Sequence, residues 1–570
     1  MNVAIVGFGP RGLACLENLI LSAADCDNFQ LDTILLFDAG QKMGTGLAWR
    51  LDQPETNCIN ISHRALVDLK GREQIVWNGV TIPSFPSYVT WCVQNEMLYD
   101  INSDKDQYPA RSQMGQYLHQ RAKSMYLRLE EVGKVKLIKE EVTQLEYDDR
   151  IISLSTNNVT YRVDECLLTL GHLPTEDTEE DTANKKHASI NSKPIYIHDP
   201  YKKQLAREDL GNRNVIIKGF GLTMLDVMKQ LTSYRFGSFH KKHGSHFLEF
   251  EPSKGCVRKI IPYSHDGLPL VPKPYGREVD AKFIPDEQQK NAFELTIRNA
   301  LAEAEKQKDI QFVLNAFAEV AVPIHLRITG TKDDAQTLEA VVLAWLKDTD
   351  IRHESLLDTG LPVVEYLKKT IAMSLGKSLP TLDYTMGQIW RHLQPLLYRL
   401  FAFSGVSGKV MNQLITVDEF TKRYSYGPPV ESMLEVLALE AAGILDVGFV
   451  NNPDVSMMSQ GWRLRKDKLT ITAGMLCNSV LDTPNLNLLQ HALIQSLKKH
   501  NLIHAVNEGL GIATYPDATV RVPDHPDKRV PIAVVGRNAK GSVLGTDAIL
   551  ECFSPETKAW AEGVVSRQIK

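Results

Sequence analysis

The chain opens on a short apolar run, Asn2–Val6, then a glycine-punctuated turn, then apolar positions spaced three and four apart through Leu13–Leu21. The run predicts a buried strand and the spacing an amphipathic helix. A second apolar run, Thr33–Phe37, completes strand–turn–helix–strand, the order of a parallel βαβ unit. Leu118–Glu131 has helical spacing. Val135–Ile138, Val142–Tyr147, Ile151–Ser155 and Thr160–Val163 read as strands of a small antiparallel layer, and Glu165–Leu170 as a buried strand ending at Gly171. From Glu176 to His187 the chain is rich in Asp, Glu and Lys, which predicts a polar loop at a domain boundary. A second cycle begins at Asn214, with strand Val215–Lys218, turn Gly219–Gly221 and helix Leu222–Leu231. From about Pro285 to Ala442 helical stretches such as Asp286–Lys306, Ala335–Lys347, Leu361–Met373 and Tyr384–Phe403 follow one another without clear strands. Strands resume at Leu469–Thr472, Ile532–Val535 leads into Gly536, and a last helix is expected over about Thr546–Phe553.

These elements predict an α/β fold with two Rossmann-like dinucleotide-binding domains and a large helical insertion. The expected segments are 1–190 (first domain), 191–284 (second domain, first part), 285–455 (helical insertion), 456–504 (second domain, second part) and 505–570 (first domain, closing part).

Composition narrows the partners. A length of 570 residues calls for several structural units. The net charge of -5, from 64 basic and 69 acidic residues, supplies no field for nucleic acid or an anionic membrane. No apolar run is read as membrane-spanning, and the start MNVAIVGFGPRG lacks a signal-peptide pattern, so a cytoplasmic protein is expected. Eight cysteines are scattered without a C-x-x-C pair, which predicts reduced thiols. His240, His243 and His246 recur every third residue but have Gly244 among them and no supporting carboxylate spacing; a solvated loop and no metal are expected.

The chemistry-bearing motif is Gly7-x-Gly9-x-x-Gly12, enclosing Pro10 and Arg11. Gly7 permits the strand-to-helix turn, Gly9 lets a pyrophosphate approach the backbone, and Gly12 lets helix and strand pack closely, while the helix N–H groups face the phosphates. Asp38, at the end of the next strand, is placed for ribose hydroxyls. Gly219-x-Gly221-Leu222-Thr223 repeats the arrangement without the third glycine. Gly44-Thr45-Gly46 and Trp49 follow Asp38, and Arg111 offers a fixed cation to phosphate, carboxylate or substrate, or else a solvated helix start.

GFGPRG (Gly7–Gly12), GTGLAW (Gly44–Trp49), CINIS (Cys58–Ser62), PARSQMGQYL (Pro109–Leu118), LLTLGHLP (Leu167–Pro174), GFGLTMLD (Gly219–Asp226) and VVGRNAKGSVLGTDAI (Val534–Ile549) together resemble the bacterial two-dinucleotide-domain FAD/NAD(P)-binding flavoproteins, distant relatives of the N-hydroxylating and Baeyer–Villiger monooxygenases. The resemblance implies FAD, with NADPH or NADH as second cofactor. It implies that Gly7, Gly9, Gly12 and Asp38 hold the ADP part, and that Thr45, Trp49, Asn60 and Arg111 line the flavin path. Gly171 would mark a chain crossing, Gly536, Gly541 and Asp547 would close over the flavin, and Gly219, Gly221 and Thr223 would receive the nicotinamide cofactor.

Two departures stand out. Where the family often carries arginines for a 2′-phosphate, this chain reads Tyr263-Ser264-His265-Asp266-Gly267-Leu268-Pro269, and Gly536 is followed by Arg537 and Asn538 rather than Asp. NADPH is therefore not expected to be strongly preferred. The implied function is an FAD-dependent oxidoreductase, an NAD(P)H-using monooxygenase acting on a small amine or amino acid. The alternatives are a flavin-binding sensor or assembly protein without turnover, and a nicotinamide-independent flavin oxidase or dehydrogenase. No motif names the substrate, the catalytic residue or the oligomeric state.

Overall fold

A computed structural model describes residues 1–40, 42–97, 105–202, 205, 210–233, 236–264, 268–523, 525 and 528–569. Five parallel strands form the first sheet, in the order Ile532–Val534, Glu165–Leu168, Asn2–Val6, Thr33–Phe37, Val135–Ile138. Both faces are covered, so the strands are continuous apolar runs rather than alternating ones. The antiparallel strands Gln144–Tyr147, Ile152–Ser155 and Thr160–Val163 precede the Glu165–Leu168 strand. The last strand lies far along the chain from its neighbours, so the C-terminal segment completes the first sheet.

The end of the chain differs from the sequence expectation. Leu550–Phe553 is only a short 3-10 turn, and the last helix is Pro555–Ile569, lying along Pro10–Ala24. The return to the first unit also begins before residue 505. Leu486, Leu489, Leu493, Ile494 and Leu497 share a core with Ala4, Val6 and Leu145, and the Leu145 N–H donates to Ser496 Oγ at 3.1 Å. The amphipathic face of Ala492–Lys499 thus buries against the first unit, not the second.

The second sheet is also parallel, in the order Ile195–Ile197, Met475–Asn478, Asn214–Lys218, Lys259–Tyr263. It has its own meander, Asp454–Met458, Gly461–Lys466 and Leu469–Ala473, leading into the Met475–Asn478 strand. The two units are built to one plan. The supposed polar loop at the boundary is the helix Glu179–Ile190: Thr178 caps it by accepting from the Asp181 N–H, and Glu179, Glu180 and Asp181 sit in its first turn, where the helix dipole favours them.

The insertion carries helices Glu287–Leu301, Gln311–Thr329, Ala335–Lys347, Val363–Ser374, Leu382–Phe401, Gly408–Ser425 and Val430–Ala441. Asp286 and Gln289 form a capping box at the first. Phe317 stacks on Trp390 at 4.1 Å between ring centroids, and Trp390 Nε1 donates to Asp418. Gln311–Thr329 is long and apolar enough to cross a membrane, which the sequence reading did not recognise. It packs instead among three neighbouring helices, and its apolar composition is that of a core helix. Leu367, Ile371, Val430 and Met433 belong to the core of the second nucleotide unit, so two of the insertion's helices are part of that unit's packing.

Candidate functional site

At the end of the first strand Gly7 takes φ +93°, and its N–H donates to the Phe37 carbonyl at 2.9 Å. A side chain there would press on the Thr169 carbonyl, 2.5 Å from where its β-carbon would stand. Gly9 caps the helix Pro10–Ala24, with Pro10 at its first position, where a missing N–H costs nothing. Gly12 faces the Gly7 carbonyl so closely that a β-carbon would stand 2.5 Å from it. These contacts leave the free N–H groups of the helix start open above the strand ends. Asp38 follows the Thr33–Phe37 strand; its Oδ1 accepts the Gly40 N–H at 2.9 Å, and burial pushes its carboxyl above the ordinary range.

The second turn repeats this construction. Gly219 takes φ +105°, and its N–H donates to the Tyr263 carbonyl at 2.7 Å. Ser479, at the end of the neighbouring strand, stands to Gly219 as Thr169 stands to Gly7. Thr169 Oγ1 donates to the Gly7 carbonyl and Ser479 Oγ to the Lys218 carbonyl. Gly221 caps Leu222–Thr232 and has open space where a side chain would be, which suits an approaching ligand. Thr223 is buried and its hydroxyl meets Tyr201 OH at 3.3 Å. Sequence reading missed Thr169 and Ser479; the signal is a hydroxyl residue directly after the Glu165–Leu168 and Met475–Asn478 strands.

Gly44 takes φ +81° with its N–H on the Phe8 carbonyl, Thr45 Oγ1 donates to Lys42, and Gly46 lies against Gly9. Trp49 is half-buried, with its carbonyl against Gly115. The structure therefore brings the Gly44–Trp49 loop to the first turn. Asn60 Nδ2 reaches the Tyr426 carbonyl at 3.4 Å. Gly171 is exposed, and its carbonyl accepts from Asn538.

Arg111 is not a solvated helix start. It is the first residue of Arg111–Glu131, and its guanidinium pairs with Asp226 at 2.8 Å, donates to the Cys58 carbonyl and lies over the Tyr201 ring. It ties the first unit to the glycine-turn helix of the second. The closing segment is held from both sides. Arg11 Nη2 donates to the Thr546 carbonyl at 2.8 Å, and the Arg11 side chain fills the space a β-carbon on Gly536 would take. Gly541 packs on Val506 and Leu510. Asp547 pairs with Arg537 and, at 3.6 Å, with Lys422 of the insertion, and these cations hold its carboxyl far below the usual range against the effect of burial.

His265, Asp266 and Gly267 lie outside the described residues. Arg258 and Lys259, the other cations near that strand, stand at its start, whereas the glycine turn stands beside its end. His240 is exposed on the hairpin strand Gly237–Lys241 rather than in a loop, and no group of three His, Cys, Asp or Glu among the described residues is arranged for a metal.

Residues 4–173 match the family model described as FAD-NAD(P)-binding. The first unit is thus similar to FAD-NAD(P)-binding domains. The chain is 28% identical over 299 residues to a nitrosuccinic acid synthase of Aspergillus oryzae, covering 50% of this chain and 44% of the relative. It is 24% identical over 392 residues to a nitrosuccinate-forming L-aspartate N-monooxygenase of Streptomyces davaonensis, covering 63% of this chain and 58% of the relative. The match thus spans about half the length of these curated relatives. Among solved structures, the L-lysine 6-monooxygenase of Pseudomonas syringae aligns over 100% of this chain and 99% of its own, with 10% identity and a TM-score of 0.44. The residues of this first unit fit the group named in that family's description. A glycine turn opens a helix start, a half-buried carboxylate stands at the next strand end, and the Gly46 backbone closes over Gly9.

Proposed function

We propose that the protein is an FAD-dependent, NAD(P)H-using monooxygenase that hydroxylates the nitrogen of a small amino acid. The observation that carries this reading is the duplication of one nucleotide turn, Gly7 with Thr169 and Gly219 with Ser479, at the ends of two parallel sheets. Two dinucleotides in one chain suit hydride delivery to a flavin. The relative named as an L-aspartate N-monooxygenase supports the same reaction class.

Gly7, Gly9, Pro10 and Gly12 would hold the pyrophosphate, and Asp38 the adenosine ribose. Gly44, Thr45, Trp49 and Asn60 would line the flavin path. Gly171, Gly536 and Gly541 would let the chain pass close to it, while Gly219, Gly221 and Thr223 would receive the nicotinamide dinucleotide. Once bound, the flavin supplies reduction by the nicotinamide and transfer of one oxygen atom from O2. This chain's own part is binding, orientation and exclusion of water. Arg11 pins the closing segment to the first helix, and Lys422 and Glu419 of the insertion engage Asp547 and Lys540 above it. Arg111 and Asp547 enter this reading as structural ties rather than as cofactor contacts. We assign 1–190 and 505–570 to the FAD unit, with the stretch from Leu486 joined to it, and a cytoplasmic location.

The test is to load purified protein with FAD and follow NADPH and NADH oxidation with and without L-aspartate and other amino acids. Tight FAD uptake and amino-acid-dependent consumption of NAD(P)H and oxygen are expected. Protein that takes up no FAD contradicts the reading.

A further inference from the structure

The segment Val271–Gly276 leaves the second sheet and threads between the first unit and the insertion. Several contacts fix its course. The Val271 N–H donates to the Arg423 carbonyl, Tyr384 OH to the Pro272 carbonyl, Ser374 Oγ to the Lys273 carbonyl, and the Tyr275 N–H to the Ser374 carbonyl. Prolines on both sides of Lys273 stiffen the backbone further. Its ammonium is thereby delivered to Asn60, whose carbonyl it meets, on the loop that the proposed function places along the flavin path.

The charges around that ammonium are unevenly matched. Asp106 is claimed by Arg64, at 3.1 and 3.2 Å, and by the Gly276 N–H at 2.8 Å. Asp280 is claimed by Arg64 at 2.7 Å, by Arg391, and by His392 at 3.2 Å. Among the described residues no carboxylate pairs with Lys273. An ammonium with three N–H donors therefore has one carbonyl acceptor, beside the guanidinium of Arg391. Burial first, and Arg391 second, pull the Lys273 ammonium down to about 7. Arg391 has Asp280 as its partner, and Asp280 and Asp106 offset part of the repulsion, but an ammonium with no ion pair of its own beside a guanidinium is unfavourable in a half-buried place. Arg391 and Arg64 keep 20% and 27% of their side-chain surface exposed, so the edge of the cluster meets solvent.

We propose that Lys273 and Arg391 form the seat for a carboxylate of an anionic amino-acid substrate, held beside Asn60 with Arg64 as outer support. The proposal rests on the monooxygenase reading for its substrate class. A carboxylate bridging the ammonium and the guanidinium would relieve their repulsion and supply the missing acceptors. Asp106 and Asp280 would hold Arg64 and Arg391 in place, and the Asn60 carbonyl would fix Lys273. These are specificity residues: they act on the substrate's carboxylate, away from the reacting nitrogen.

Calorimetric titration of the FAD-loaded protein with succinate, and with 1,4-diaminobutane as the cationic control, tests this without turnover. Succinate is expected to bind and the diamine not. Lys273→Met and Arg391→Met are each expected to weaken succinate at least ~30-fold, the scale of one hydrogen-bonded charge pair, whereas Lys273→Arg stays within about fivefold. Lys273→Met is also expected to melt no lower than the parent, because it removes a cation from beside another. Unchanged succinate affinity in both methionine variants overturns the proposal, as does a parent protein that binds the diamine and ignores succinate. Flavin content and flavin reduction by NADPH, measured on the same preparations, report separately on the monooxygenase reading.

Discussion

Arg111 stands 2.8 Å from Asp226, joining the helix that starts the Arg111–Glu131 element of one nucleotide unit to the glycine-turn helix of the other. Tyr201 OH donates to the same carboxylate at 2.7 Å. Arg111→Ala leaves a buried carboxylate without its cation and is expected to destabilise the protein by about 3 kcal/mol. Flavin affinity should stay within about threefold, because the guanidinium is spent on Asp226 and not on a phosphate. Thermal unfolding and FAD titration of the variant check both halves; a large loss of FAD affinity would return Arg111 to the flavin.

The same pair has a pH signature. Burial holds the Asp226 carboxyl above its ordinary range even with Arg111 beside it. A group whose folded value is raised stabilises the fold most when protonated, and that contribution is lost as pH rises through the folded value. Without Arg111 the folded value rises further. The stability deficit of Arg111→Ala is therefore expected to shrink as pH falls from 7 toward the carboxylate range, read from denaturant midpoints of parent and variant across that range.

Gly221→Trp should separate the two cofactors. Nothing stands where its side chain would begin, so the fold should tolerate the change. FAD content should be unchanged and the KM for NAD(P)H should rise at least ~10-fold, since the indole would occupy pyrophosphate space. Gly9→Trp should do the reverse and abolish FAD uptake. Flavin stoichiometry and reduction kinetics of both variants decide it.

Arg258 and Lys259 are expected to have no part in choosing between NADPH and NADH. They stand at the start of the Lys259–Tyr263 strand, roughly 16 Å from its nucleotide-facing end for five residues at about 3.3 Å each. Arg258→Ala should leave the ratio of the two reduction rates unchanged. A collapse of NADPH preference would mean that the cofactor lies the other way along the sheet.

Glu17, on the first helix, is buried between Arg72 at 2.9 Å and Arg121 at 2.7 Å. Glu17→Ala strands two buried guanidinium groups and is expected to cost about 3–5 kcal/mol, measured by denaturant unfolding. A loss below 1 kcal/mol would show that water reaches this cluster.

What was legible in the sequence was local. Asn2–Val6, Gly7–Gly12 and Thr33–Phe37 announce a βαβ unit because strand period, glycine turn and helix spacing all lie within forty residues. The polar composition of Glu176–His187 reads as a loop and hides the Thr178 cap of the Glu179–Ile190 helix. Ala492–Lys499 reads as part of the second unit because its apolar face does not reveal which core it meets. Arg111 and Lys273 were illegible for a stronger reason. Asp226 and Asn60, the groups that define them, stand 115 and 213 positions away, so spacing along the chain carries no trace of either contact.

The most direct test of the account is an incubation of the FAD-loaded protein with NADPH and L-aspartate under 18O2, with product masses recorded. A product carrying oxygen from 18O2 on the amino nitrogen is expected, formed only when FAD, nicotinamide and amino acid are all present. NADPH consumption that yields peroxide alone, with L-aspartate and a panel of other amino acids and amines all recovered unlabelled, would contradict it.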